Sequence, residues 1–242
     1  MKRFLAAALL VLLAPLAFAQ GVYVKTCAHS DAFAIVDQSQ PARDDVFEQW
    51  FSGNKTAQSG GALGMIVDLD ANMAYMVMHG DKSYVPMPLP MDIIKILPPE
   101  VASMAPMVQM SATVTATAET KKIGQWNCTG YDVALSVMGI RGTQRVWAST
   151  EVPGALATAA AKVMPTFMQG QMRLTDEAVK EYAKIKGFQI ASELIADVMG
   201  TKMRTTTETV EIVEKAAPAG AFEPPAGYTK KTTLSIQDLQ RR

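Results

Sequence analysis

Glycine-plus-polar pairs punctuate this chain between runs of strand-forming residues, and that spacing commits it to β-hairpins. Gly80-Asp81, Gly124-Gln125 and Gly200-Thr201 each put glycine where a type II′ turn needs a positive φ. Asp70-Ala71-Asn72 joins Met65–Leu69 to Met73–His79, with Asn72 suited to a left-handed conformation. Gly139 to Gly142 separates Tyr131–Val137 from Thr143–Ala148. Within the runs, side chains alternate as strands with one buried face require. Tyr131, Val133, Leu135 and Val137 share one face, against Asp132, Ala134 and Ser136. Tyr75 and Val77 oppose Ala74, Met76 and Met78. In the longest run, Lys202–Glu214, Met203, Thr205 and Thr207 hold one phase while Val210 and Ile212 hold the other. Keeping one face inside requires a shift of one residue, so a β-bulge is predicted near Glu208–Thr209.

Helical material is confined to two stretches. Met91–Met110 is cut by Pro98, Pro99 and Pro106 into short pieces. In Glu151–Lys186, Ala155–Val163 is rich in alanine, Pro165 interrupts it, and a clearer helix is expected from Asp176 to Lys186, ended by Gly187. A turn over Gly220–Gly227 then leads to a last strand, Tyr228–Ile236. No repeat or long linker divides the chain. Residues 20–242 therefore read as one α+β domain, mainly antiparallel β, with 231–242 as a loose C-terminal tail.

Ahead of this domain, Met1-Lys2-Arg3, the apolar run Phe4–Leu16 and Ala17-Phe18-Ala19 have the layout of a signal peptide, residues 1–19, cleaved before Gln20. The run is shorter than the ~20 residues of a permanent membrane helix. No later segment is long and apolar enough for that role, so the exported chain is not expected to be an integral membrane protein. Sparse aromatics and the ending Gln240-Arg241-Arg242 argue against an outer-membrane barrel. Loss of Lys2 and Arg3 leaves 21 of the 23 basic residues against 23 acidic ones, a net charge near −2. That offers no field for a phosphate backbone and argues against nucleic acid as a partner.

Two cysteines, Cys27 and Cys128, remain after cleavage. In an oxidising compartment they are a candidate disulfide, closing a loop of about 100 residues for about 4–5 kcal/mol. The alternative is two separate buried thiols. Catalysis is poorly supplied: His29 and His79 are the only histidines, and neither a Gly-x-Ser-x-Gly elbow nor His-Glu-x-x-His occurs. Asp68-x-Asp70-x-Asn72 opens like a calcium loop, but Met73 replaces the glycine at its sixth position and His79 the glutamate at its twelfth, so it reads as a hairpin turn. Methionine is frequent, 16 in all, including Met104, Met107 and Met110 at intervals of three. Thioethers select Cu(I), but methionine also fills irregular apolar space and suits surfaces that accept varied ligands.

Five blocks then carry a resemblance: "GMIVDLDANMAYMVMHGDKSY" from Gly64, "ETKKIGQWNCTGYDV" from Glu119, "RVWAS" from Arg145, "GFQIASELI" from Gly187 and "FEPPAGYTKK" from Phe222. In this order they resemble an exported bacterial family of unknown function with a LolA/LolB-like fold. The resemblance implies an unclosed half β-barrel of long hairpins covered by a few helices, a hollow that holds lipid in the best-known members, and a periplasmic address. One departure is that Val22–Cys27 reads as strand directly after the cleavage site, where LolA-type carriers have a helix.

The expected function is non-enzymatic binding of a lipid, acyl chain or other hydrophobic molecule, with no cofactor and no metal. Strand phase gives the lining as Met65, Val67, Tyr75 and Val77 from one hairpin, Val133 and Leu135 from a later strand, and Met104 and Met107 from the helical cover. The alternatives are a cell-envelope interaction module without a pocket and a Met-rich Cu(I)-binding protein.

Overall fold

The computed structural model describes residues 21–35, 38–103 and 109–240. Its strands are β1 (Val22–Ser30), β2 (Phe33–Ile35), β3 (Gln38–Gln40), β4 (Arg43–Ser52), β5 (Lys55–Gly60), β6 (Leu63–Asp68), β7 (Met73–Met78) and β8 (Ser83–Pro88). After a 3-10 turn, Ile93–Ile96, and the short helix α1 (Pro99–Ala102) come β9 (Met110–Ile123), β10 (Trp126–Val137) and β11 (Ile140–Ser149). The helices α2 (Gly154–Met172) and α3 (Asp176–Tyr182) precede β12 (Phe188–Val198), β13 (Thr201–Glu214), β14 (Thr229–Lys230) and α4 (Ile236–Gln240).

Apart from the small β2–β3 hairpin, these strands make one twelve-stranded sheet in the order β14-β8-β7-β6-β5-β4-β1-β13-β12-β11-β10-β9. Its two edges, β14 and β9, do not pair, and all its ladders are antiparallel except β14 with β8. The architecture is thus α+β, mainly antiparallel, with a large unclosed sheet. Two meanders, β4 to β8 and β9 to β13, are stitched together by β1, which pairs with both β4 and β13. That stitch separates the cysteines: Cys27 is on β1, Cys128 is on β10, and β13, β12 and β11 lie between. Both are free thiols, which corrects the candidate disulfide.

Short turns join the neighbours, in part as predicted. Gly124 has φ 56° while Gln125 stays on the negative side, the type II′ pattern, and Asn72 has φ 55°. Two other turns are corrected. Met138-Gly139 and Met199-Gly200 have positive φ at both residues, the type I′ pattern, so each turn begins earlier than the glycine spacing implied. After β7 the loop spans four residues, and the left-handed one is Lys82 rather than Gly80.

The predicted bulge is present. Lys25 faces Glu211 and Thr26 faces Thr209, so Val210 is the extra residue, just beyond the predicted position. Thr209 is buried and Val210 exposed, which restores the inward phase at Ile212. Two further irregularities lie in line with it. Ile190 is extra on β12 between the partners of Trp147 and Ala148, and Gly130 on β10 stands against residues 117–119 of β9. Bulges bend the strands that carry them and increase their twist.

The bend is read from packing. Eight strand spacings separate β7 from β10, about 40 Å in a flat sheet. Yet the consecutive residues Phe167 and Met168 of α2 pack into the apolar clusters of β6–β8 and β9–β11 respectively. The sheet therefore curls round α2. This also explains why Pro165 does not end the helix, as the sequence suggested. It forfeits one backbone hydrogen bond, but Leu156, Ala159 and Val163 before it and Phe167 and Met168 after it are held by tertiary contacts. Helix α3 starts at Asp176 as expected, with Thr175 Oγ1 accepting the Ala178 N–H, but stops at Tyr182, short of Lys186.

Residues 231–238 are tied down rather than loose, residues 241–242 lie outside the described residues, and the last strand, Thr229–Lys230, is only two residues long. Leu234 is 4% exposed within the β6–β8 cluster, and its N–H donates to the Ile96 carbonyl at 2.6 Å. Lys231 forms ion pairs with Asp81 and with Asp238, the latter at 3.1 Å. Burial alone would raise the Asp238 pKa, but the Ser235 N–H and hydroxyl and the Lys231 ammonium outweigh it and hold the carboxyl at about 2. A carboxylate with a depressed folded pKa stabilises above its unfolded value of about 3.9 and loses that contribution as pH falls toward about 2. Asp238→Asn is therefore expected to cost about 1–2 kcal/mol near neutrality. In urea titrations across this acid window the wild-type stability should fall toward that of the variant, which itself changes less.

Candidate functional site: the inner face and its seam

Residues facing each other across an antiparallel pair share a face, and this fixes which side chains line the inside of the bend. Met65 faces Met76 and Val67 faces Ala74, all in the inner cluster with Val85, Met87 and Met91. Ile66 faces Tyr75, and these two with Val77 and Ala57 point outward, covered by Phe222 and Tyr228. The proposed lining is corrected on this point: Tyr75 and Val77 lie on the opposite face from Met65 and Val67. Val133 belongs to the inner cluster of the other wing, with Val114, Tyr131 and Val146, and Leu135 packs against it. Met104 and Met107 lie outside the described residues. Met65, Val67 and Val133 are at most 2% exposed, so they are sealed into packing rather than open to solvent.

Between the wings, Val22, Val24 and Phe51 of the central strands meet Leu156, Ala159, Ala160 and Val163 of α2. The seam between the wings runs along the last turn of α2. A cavity of about 130 Å³ opens there, bounded by Met91, Asp92, Ile93, Gln109, Gln169, Gly170, Arg173 and Leu174. Its residues come from both sides of the seam: Met91 belongs to the β6–β8 cluster and Leu174 to the β9–β11 cluster. Gly170 is required by this closeness, because the Met91 side chain occupies the space of a Cβ there.

Arg173 follows the last turn of α2 with φ 52°. Its carbonyl accepts the Met110 N–H and the Met110 carbonyl accepts the Thr175 N–H, both at 3.1 Å, which fixes the backbone against the start of β9. Among the described residues, its Nη1 is buried without a hydrogen-bond partner. Gln169 Nε2 donates to Asp176 Oδ1 at 2.8 Å. Asp92 Oδ1 accepts the Ile94 N–H at 3.2 Å, and its other oxygen lies 3.7 Å from Lys95 Nζ.

No family model and no curated protein matches the chain.

A second cavity, about 220 Å³, lies on the outer face between the sheet and residues 218–224, with Lys55, Asp68 and Tyr75 on its wall. Lys55 pairs with Asp68 at 2.8 Å, and Asp68 also accepts the N–H groups of Asp70 and Ala71. Burial works to raise the Asp68 pKa, but these donors outweigh it and lower it. The Asp68-x-Asp70-x-Asn72 segment is thus a hairpin turn closed by its own first carboxylate.

The histidines serve different places. His29 Nδ1 lies 2.7 Å from Asp44 on the exposed end of β1, and His79 Nδ1 lies 3.1 Å from the Tyr228 hydroxyl. Cys128 is buried with its thiol toward the Trp126 carbonyl; burial first, and then the charge of Glu151, push its pKa up. Among the described residues, no helix is long and apolar enough to cross a membrane. The seam residues Met91, Gln169 and Arg173 had no sequence signal of their own. The nearest clue to Arg173 was that no glycine or asparagine follows the helix.

Proposed function

We propose that this chain is an exported, periplasmic binding protein for a lipid or other acyl-chain ligand, a half barrel of the LolA/LolB type with α2 as its cover. The observation that carries this reading is the convergence of both wings on Phe167 and Met168, which brings the apolar clusters of both wings beneath one helix. That face is rich in methionine, with Met65, Met76, Met78, Met87 and Met91 in one cluster and Met168 against the other. Unbranched thioethers repack readily around ligands of different shape.

The cover is closed, so a ligand has to displace part of it. Phe167 and Met168 are half-buried, so lifting each costs less than the ~1.5–3 kcal/mol of a fully buried side chain, while each methylene buried in exchange supplies about 0.8 kcal/mol. A chain of about a dozen methylenes supplies about 10 kcal/mol. That offsets the displacement of Phe167 and Met168 with a margin for binding.

Native mass spectrometry and organic extraction of protein purified gently from its own envelope are expected to find a bound acyl compound. The stripped protein is expected to take up a fluorescent fatty-acid probe. Absence of both signals overturns the proposal. A second reading, a docking module for an envelope protein, is favoured by Val46, Val210 and Val213, which stand exposed on the strands flanking β1. It predicts that the inner face stays sealed to the probe.

A further inference from the structure

The seam cavity is bordered by a guanidinium: Arg173 lies on its wall with Nη1 buried and without a hydrogen-bond partner among the described residues. A buried N–H of a charged group without an acceptor is a standing deficit, which an oxyanion removes through charge-assisted hydrogen bonds. The other polar groups on the wall do not remove it. Asp92 is engaged with the Ile94 N–H and faces Lys95, and the Gln169 amide donates to Asp176. Gln109 also borders the cavity and makes no hydrogen bond to Arg173 among the described residues; Met91, Ile93 and Leu174, drawn from both wings, are the apolar part of the wall.

The backbone adds a second observation. Arg173 is left-handed at φ 52°, where helices usually place glycine or asparagine. A basic side chain near a helix C-terminus complements the dipole, but a lysine or arginine reaching into solvent does that without a buried, unpaired nitrogen. A strained backbone position occupied by arginine at the wall of a cavity, with its Nη1 buried just behind that wall, fits a binding role better.

We infer that Arg173 receives the anionic head of the bound acyl compound, a carboxylate or phosphate oxyanion, while the chain lies along the inner face. This rests on the acyl-ligand reading and adds the chemistry of the head group. The seam suits the task because apolar residues of both wings and a buried guanidinium nitrogen meet at its wall.

The test uses the full chain and three probes with one alkyl chain and different heads: hexadecanoic acid, hexadecyl phosphate and hexadecan-1-ol, each displacing a fluorescent acyl probe. At least one anion is expected to bind about tenfold or more tighter than the alcohol, and the tighter of the two identifies the head. Arg173→Gly is expected to bring all three within about twofold while the melting temperature holds or rises, because glycine relieves the left-handed backbone. Arg173→Lys keeps the charge but loses the planar fork, and should retain part of the preference. Equal binding of alcohol and anions by the wild type, or a preference that survives in Arg173→Gly, overturns the assignment and leaves the acyl-ligand reading standing. A marked fall in the melting temperature of Arg173→Gly overturns it too, as the mark of a structural arginine. Failure of all three probes to bind overturns both readings.

Discussion

Phe51→Ala is expected to lower the unfolding free energy by about 3–5 kcal/mol, measured as a shift in the urea midpoint at unchanged slope. Phe51 is 1% exposed on β4, where it meets Val22 and Val24 of β1 and Leu156 and Val163 of α2. Its ring also meets that of Phe188 edge-on, with centroids 6.1 Å apart, a geometry worth about 0.5–1.5 kcal/mol beyond area. The residue thus ties β1, α2 and the second meander to one point, and the void it leaves has walls on three elements that cannot all collapse inward. Val46→Ala on the same strand is the control: Val46 is 47% exposed, and the change should stay within about 0.5 kcal/mol. A loss below about 1 kcal/mol for Phe51→Ala would mean that α2 does not sit on the central strands.

Gly187→Ala is expected to be as damaging, for a different reason. Gly187 has φ 95°, and a Cβ there would lie 2.8 Å from the Thr150 nitrogen and closer still to the Ser149 carbonyl. All of these are backbone atoms in the strand-to-helix corner, so no side chain can move aside to relieve the overlap. Strain in the left-handed region alone costs about 1–3 kcal/mol, and overpacking adds about as much again. The expected loss is about 3–5 kcal/mol in thermal or urea unfolding. Gly53 separates the two contributions, since its φ is 57° but a Cβ there meets nothing within 4 Å. Gly53→Ala should show the strain without the clash, and a similar loss at both positions would remove the packing argument for Gly187.

The strands were legible because side chains alternate wherever one face is wet, and the bulge was legible because Val210 and Ile212 broke that alternation in a long strand. The inner lining was less so. In β6 the residues Met65, Ile66, Val67 and Asp68 are all buried, because the segment bearing Phe222 and Tyr228 covers its outer face. A strand buried on both sides offers no phase, so the sequence does not show that Tyr75 and Val77 lie on the face opposite Met65 and Val67. Met138-Gly139 and Met199-Gly200 lack the asparagine or aspartate that marks a type I′ turn. The course of β1 between β4 and β13 depends on pairings across the whole chain, which turn spacing does not encode, and it decides the fate of the cysteines. The C-terminal anchor rests on Leu234 and a few polar contacts, too sparse a pattern to register as structure.

The line through Val210, Ile190 and Gly130 means that the curl is written into residue counts along the main chain. Like a scored card, the protein keeps its crease whatever side chains are placed on either flap. The packing of the inner face can therefore be altered by exchanging methionines for larger or smaller residues without flattening the sheet. Inserting or deleting a single residue on that line, by contrast, would change its angle and turn the inward side chains beyond it to the outside.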